Sequence, residues 1–448
     1  MLAIIVDMAD QQSGERQEAA VGRPNDRRTF LKVAGGASVV GLTGLAGCTG
    51  SLGGSSQPSR DYFKLGVVTS LSGDLRYGGY VTRRGYDLWK QEINKQGGIE
   101  VGGEKYNVQL VYADAKSQPS TGADAASKMI SNEKVDAVLG PYSSNVTLSV
   151  APIMDKNEMP HITGSAESPD VWKKQFKYTF GTIPTVSVTA DKVAETLLKL
   201  KPNAESVYVT GVNEPFSKST AEAMKTGAKK AGVNVLGYDL YPRNTDYTNV
   251  VSKAKSKNPD FHLHGGHISS HVKLMKASKQ LDYNPNGFFM HYGVNTSSYK
   301  DGLKADAKDT FGATLWLPQV KRSGGVLFGT PQKYTDAAKA AYNSAPDYTQ
   351  AASTAAGIVY QEALKKLGAK PPLSKDDRKK LIDILENLKV QTFYGTVDFE
   401  TSGDRYHDNL GTEPLAIQLQ DNLDPKIVGP KDVAEAEADY PVPAWNAR

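Results

Sequence analysis

The sequence predicts an α/β protein of two lobes, each a parallel sheet flanked by helices. Three observations carry that expectation. Short apolar runs alternate with longer amphipathic ones from Tyr62 onward, and the alternation restarts after Pro184. About 390 residues follow the N-terminal segment, enough for two units of ordinary domain size.

Residues 63–69, Phe-Lys-Leu-Gly-Val-Val-Thr, read as a strand leaving into the turn Ser70-Leu-Ser-Gly73. Residues 81–95 carry apolar side chains near helical spacing and stop at Gln96-Gly97-Gly98. A strand at 108–112, a helix at 123–132, a strand at 135–140 and a helix at 146–157 follow; His161-Ile-Thr163 opens another strand. After Pro184 come helix 186–200, strand 206–210, helix 219–231, strand 234–240, helix 247–257, strand 261–264, helix 271–280 and strand 287–290. Strands separated by helices predict parallel sheets covered on both faces. Ligands in such sheets sit outside the carboxyl ends of the strands. Helical stretches at 334–342 and 351–367 and a tail of strands and loops from Phe393 complete the chain.

The N-terminus reads as an address. Asp26-Arg-Arg-Thr-Phe-Leu-Lys32 resembles a twin-arginine export signal, with its pair at Arg27 and Arg28. Residues 33–46 are uncharged and small or apolar, shorter than the roughly 20 residues of a membrane-spanning helix and suited to a signal-peptide core. The run ends in Leu45-Ala-Gly-Cys48, which resembles a lipobox, and Cys48 is the single cysteine. The expectation is a signal peptide at 1–47, with Met8 as an alternative start, a lipid on Cys48, and a Gly/Ser-rich tether at 48–60. The body would then sit outside the cell, anchored to the outer face of its membrane.

Hydrophobic residues make up 39% and charged residues 23% of the chain, values of an ordinary globular body. Residues 1–47 hold five basic and five acidic side chains, so the remainder keeps the net charge of +4. No basic block argues for nucleic acid. No G-x-S-x-G, H-E-x-x-H or Walker A string occurs, which argues against an enzyme, and no cofactor is implied.

Several segments in order carry a family resemblance. Ser70-Leu-Ser-Gly73, Tyr77-Gly78 and the helix ending in Asn94-Lys-Gln-Gly-Gly-Ile99 form an opening unit. Leu139-Gly-Pro-Tyr-Ser-Ser-Asn145, Ser165-Ala-Glu-Ser-Pro-Asp170 and Phe393-Tyr-Gly-Thr-Val-Asp-Phe399 follow. Together they resemble the branched-chain amino-acid binding proteins of ABC importers, which have the type I periplasmic-binding-protein fold. The resemblance implies three interlobe crossings, near Ile183-Pro184, Gly293 and Gln391. Lobe one would combine 61–183 with 294–390, and lobe two 184–293 with 391–448. It also implies a monomer that captures a small polar molecule, an amino acid, an amide or urea-like compound or a carboxylate, for an ABC permease and its ATPase subunits. A ligand-sensing receptor of the same fold is the alternative, with a metal-binding or hydrolytic surface protein behind it.

By the same resemblance the ligand contacts are Ser72, Tyr77, Ser143, Ser144, Ser165, Glu167, Phe216 and Ser270; His267, as a histidine expected in the interlobe cleft, is a further candidate to hydrogen-bond the ligand. Ser143 and Ser144 open a helix, where free N–H groups and the helix dipole favour an anion. Glu167 stands where relatives carry a hydroxyl, and Phe216 where they carry a tyrosine. Ser269 and Ser270 stand where amino-acid-binding relatives have an acidic partner for the ligand ammonium. An α-amino acid is therefore expected to bind poorly unless Glu167 or Asp74 takes over that charge. Five of the seven histidines fall between residues 262 and 291; with no cysteine or carboxylate motif beside them, no metal site is expected.

Overall fold

The computed structural model describes residues 60–447 apart from Lys201. The twin-arginine pair, the lipobox with Cys48 and the tether up to residue 59 lie outside the described residues.

The first lobe runs β1 (Tyr62–Thr69), α1 (Arg76–Lys95), β2 (Ile99–Val101), β3 (Glu104–Asp114), α2 (Pro119–Ser131), β4 (Ala137–Leu139), α3 (Ser144–Lys156), β5 (His161–Thr163), α4 (Pro169–Trp172) and β6 (Thr179–Gly181). Its strands stand in the order β2-β3-β1-β4-β5-β6, parallel except for the β2–β3 edge pair. Because β1 is central and covered on both faces, its residues from Leu65 to Thr69 are buried at every position rather than at alternate ones.

The second lobe runs α5 (Val186–Leu198), β7 (Ser206–Val212), α6 (Pro215–Lys230), β8 (Asn234–Tyr241), α7 (Tyr247–Lys255), β9 (Phe261–Gly265), α8 (Ile268–Gln280), β10 (Gly287–Met290), α9 (Ser297–Leu303) and β11 (Phe311–Thr314). The chain then returns through α10 (Pro331–Tyr342), α11 (Tyr348–Leu367) and α12 (Lys375–Glu386) and a hairpin of β12 (Lys389–Gln391) and β13 (Thr396–Asp398). It ends in β14 (Leu415–Leu419) and β15 (Pro425–Gly429). The second sheet has the order β15-β14-β11-β10-β9-β7-β8, with β14 and β15 antiparallel at one edge.

Helix α11 is buried along nearly its whole length and packs along α1 of the first lobe. Gly85 of α1 permits that approach: a Cβ there would lie 2.4 Å from the Gln350 carbonyl oxygen.

Expected and observed boundaries differ at two crossings. The chain does not leave the first lobe at Gln391: Gln391 pairs with Thr396, and Phe399 and His407 pack on Phe180 of β6. Residues 294–314, placed with lobe one by the resemblance, stay with the second. Phe311 pairs with Phe289 of β10 and with Gln418 of β14, and α9 packs on α8. The chain leaves that sheet only after Thr314. Order of motifs identifies which elements exist; strand register decides where one lobe ends. The crossing segments lie side by side: Gly181 N–H donates to the His407 carbonyl (3.0 Å), Asn409 Nδ2 to the Thr182 carbonyl (2.8 Å) and Trp316 Nε1 to the Phe393 carbonyl (3.2 Å).

Candidate ligand-binding site

The loops after β4 and β5 meet those after β7, β9 and β10. In the loop after β4, Gly140 has φ +86° and passes so close to Val68 that a Cβ would lie 2.2 Å from its carbonyl oxygen, so glycine is required. The turn delivers Ser143 as the N-cap of α3, its Oγ accepting from Val146 N–H at 3.3 Å. Ser144 Oγ accepts from the backbone N–H of Glu167 (3.1 Å) and of Ser168 (3.0 Å). Ser144 thereby fixes the loop that carries Glu167. Ser165 Oγ lies 3.0 Å from Thr82 Oγ1.

Glu167 is 3% exposed. Its Oε1 accepts from the Tyr348 hydroxyl at 2.9 Å, whereas its Oε2 has no hydrogen-bond partner. A buried carboxylate oxygen without a donor is costly. Ser143, Ser144, Ser165, Glu167, Phe216 and His267 line one narrow chamber together with Tyr142, Tyr292 and Thr349. Neither Lys nor Arg is among these lining residues.

On the second-lobe side, His267 is held at both nitrogens. Nε2 lies 3.3 Å from Glu214 Oε1 and Nδ1 lies 3.2 Å from the Tyr142 hydroxyl, which joins the lobes. Arg243 donates to the other Glu214 oxygen and reaches Asp74 of the first lobe at 3.8 Å. Burial alone would raise the Glu214 carboxyl, but His267 and Arg243 outweigh it and hold it down at about 2. Glu214 is therefore a satisfied anion. Asp347, the N-cap of α11, receives the Tyr292 hydroxyl at 3.3 Å, and burial pushes its carboxyl up to about 6.

Three expected contacts lie elsewhere. Tyr77 lines a neighbouring recess with Leu75, Ile268 and Val272, which shares Tyr142 and His267 with the chamber. Burial, then the charge of Asp347, pushes its phenol up to about 12. Ser72 Oγ donates to Asp114 Oδ2 at 2.6 Å and closes the turn after β1. Ser270 Oγ donates to the His267 carbonyl at 2.7 Å and lies 3.2 Å from His264 Nε2, so it braces the first turn of α8. Asp74 is exposed and paired with Arg243, which leaves Glu167 as the acid inside the chamber.

Tyr142, Tyr292 and Thr349 were not anticipated. Tyr142 and Tyr292 lie three and two residues past the ends of strands β4 and β10, a signal the strand-end rule contains. Thr349 arrives from α11, far along the sequence. Behind the chamber, Thr210 Oγ1 lies 2.8 Å from His262 Nε2 and 2.9 Å from His264 Nδ1, and burial pushes His262 and His271 down to about 3. These imidazoles are neutral core residues. Among the described residues no group of three or more His, Cys, Asp or Glu is placed to hold a metal ion.

A family model described as periplasmic binding protein matches residues 63–417. The chain belongs to the periplasmic binding protein family. A Leu/Ile/Val-binding protein, BraC3, of Rhizobium johnstonii is 26% identical over 348 residues, covering 76% of this chain and 88% of the relative. Leu/Ile/Val-binding protein homolog 3 of Brucella melitensis is 28% identical over 218 residues, which spans 48% of this chain and only 57% of that protein. In three dimensions the chain is similar to a leucine-binding protein, LivK, of Thermotoga maritima, with a TM-score of 0.71 at 19% identity over 83% of this chain and 100% of the other. The two-lobed type I architecture expected from sequence is the one observed.

Proposed function

We propose that this periplasmic binding protein is the ligand-capturing subunit of an ABC importer. It would be exported through the twin-arginine signal, anchored by lipid on Cys48 to the outer face of the membrane, and would deliver solute to a permease driven by separate ATPase subunits. We further propose that the chamber takes a small zwitterion of the amino-acid class. Its carboxylate would dock at the start of α3, on the hydroxyls of Ser143 and Ser144 and the first helical N–H groups. Its ammonium would dock on Glu167 Oε2.

The observation that carries this reading is the partnerless, buried oxygen of Glu167 in the chamber that α3 opens. It supplies the charge whose absence at Ser270 speaks against an amino acid. The Leu/Ile/Val-binding relatives favour an apolar side chain, which Phe216 and Tyr292 suit.

Thermal-shift measurements with L-leucine, 4-methylpentanoate and 3-methylbutylamine separate the two ends of such a ligand. Leucine should raise the midpoint more than either half-molecule, since binding to the folded state alone stabilises it. If 4-methylpentanoate matches leucine, the assignment of Glu167 fails. If none of the three shifts the midpoint, the zwitterion reading fails.

A further inference from the structure

His291 stands directly after β10 in the second lobe, 2% exposed, with neither ring nitrogen hydrogen-bonded. Its Nε2 lies 3.7 Å from Glu167 Oε2 of the first lobe, the oxygen that also lacks a donor. Two buried groups of complementary chemistry thus face each other across the lobes. The separation is long for a neutral hydrogen bond and within range of an ion pair.

Among the described residues no Lys or Arg lines the chamber beside them. Glu167 is approached by the phenols of Tyr348, Tyr142 and Tyr394. His291 is approached by the neutral imidazole of His271 and by the rings of Phe216 and Phe289. The other imidazole of the chamber, His267, is already committed to Glu214 and Tyr142.

We propose that Glu167 and His291 form a proton-exchange pair, which rests on the reading that a ligand ammonium docks on Glu167. Before ligand arrives, a proton on His291 Nε2 balances the carboxylate. The ammonium then takes the place of the imidazolium beside Oε2. One imidazolium N–H bond breaks, its proton passes to water, and the carboxylate keeps a single cationic partner throughout. His291 is here a positioning residue that holds the binding oxygen ready. Acidification favours the protonated pair and releases the ligand.

Two measurements on the full chain test this. Calorimetry with L-leucine in buffers of different ionisation enthalpy should show net proton release below one per ligand, rising as pH falls from 8 to 5.5. The apparent Kd should rise by up to about tenfold per pH unit of acidification, and H291N and H291Q should abolish both effects. Equal proton release in wild type and both variants would overturn the proposal. The second measurement needs no ligand: in a thermal double-mutant cycle, E167Q and H291N should be non-additive at pH 5.5 and additive at pH 8.5. Additivity at both pH values overturns the pair. Coupling at pH 5.5 with no heat from leucine would uphold the pair and place the failure in the proposed ligand.

Discussion

Replacing Glu167 by Gln keeps the side chain's shape and an acceptor for Tyr348 but removes the charge. A hydrogen bond to a charged group contributes about 1.5–3 kcal/mol, and every 1.4 kcal/mol is tenfold in affinity. E167Q should therefore weaken L-leucine by about one to two orders of magnitude and 3-methylbutylamine by a similar factor. It should leave 4-methylpentanoate unchanged or stronger, because a neighbouring negative charge has gone. Stability without ligand should depend on pH. Glu167 is 3% exposed and one of its oxygens has no donor, so at pH 8.5, where the pair with His291 is not formed, removing its charge relieves a burial cost and the midpoint should stay level or rise. At pH 5.5 the same substitution breaks the pair, and the midpoint should fall. Calorimetry for affinity and scanning fluorimetry for the midpoint read both. Wild-type leucine affinity in E167Q, or equal losses for the amine and the carboxylate, would refute the reasoning.

Ser143 and Ser144 should separate in the same assays. S143A loses one helix cap, about 1 kcal/mol, whereas S144A strips the acceptor from two buried N–H groups at about 1–3 kcal/mol each, so S144A should show the larger drop in denaturation midpoint. In cell fractionation, C48S should leave the membrane fraction or remain unprocessed, and R27K with R28K should hold the chain inside; unchanged attachment of C48S would sink the anchor. Burial pushes His262 and His271 down to about 3 and His161 and His407 down to about 4. The folded chain keeps these imidazoles neutral while the unfolded chain takes up protons below about pH 6.5. Their stabilisation is therefore complete above that pH and lost toward pH 4, at about 1.4 kcal/mol per histidine per pH unit. Asp347 and Asp408, raised by burial to about 6 and about 7, and Asp136 and Asp155, also raised by burial, act in the opposite direction, four groups against five histidines once His264, pushed down by burial, is counted. The thermal midpoint should accordingly fall from pH 7 to pH 4.5, and a flat profile would contradict this account.

Elements with strong periodicity were legible in sequence, and strand 287–290 matches β10 to the residue. Helix starts were not. Helices α2, α6 and α10 begin at Pro119, Pro215 and Pro331, four, four and three residues before the expected starts. Proline reads as a breaker but is pre-organised for a first helical turn, and the polar first turns carry no apolar signal. Helix α12 was missed although Ser374 and Asp377 form a capping box. In the chamber, local motifs found Ser143, Ser144 and Glu167. They could not find Tyr348, which reaches Glu167 across 181 residues of sequence, or His291, 124 residues on, because tertiary packing alone brings these together.

The balance between open and closed lobes follows from the weakness of the bonds that cross the chamber. Asp74 is two-thirds exposed, so its pair with Arg243 contributes about 0–1 kcal/mol. The Tyr142–His267 and Ser168–Ser219 hydrogen bonds each contribute about 0.5–1.5 kcal/mol net. Each of these, like the Tyr292–Asp347 and Ser168–Pro215 hydrogen bonds that also cross, is small beside the roughly 5.5 kcal/mol that moves a two-state equilibrium from 1:99 to 99:1. A ligand seated on α3 and Glu167 touches the first lobe at both charged ends, and those contacts exist whether the lobes are apart or together. It favours closure only through what the second lobe adds, the rings of Phe216 and Tyr292 and the imidazole of His267. Under the proposed reading, affinity is therefore divided by lobe. Charge selects the ligand on the first, and the aromatic face of the second converts that selection into the closed form.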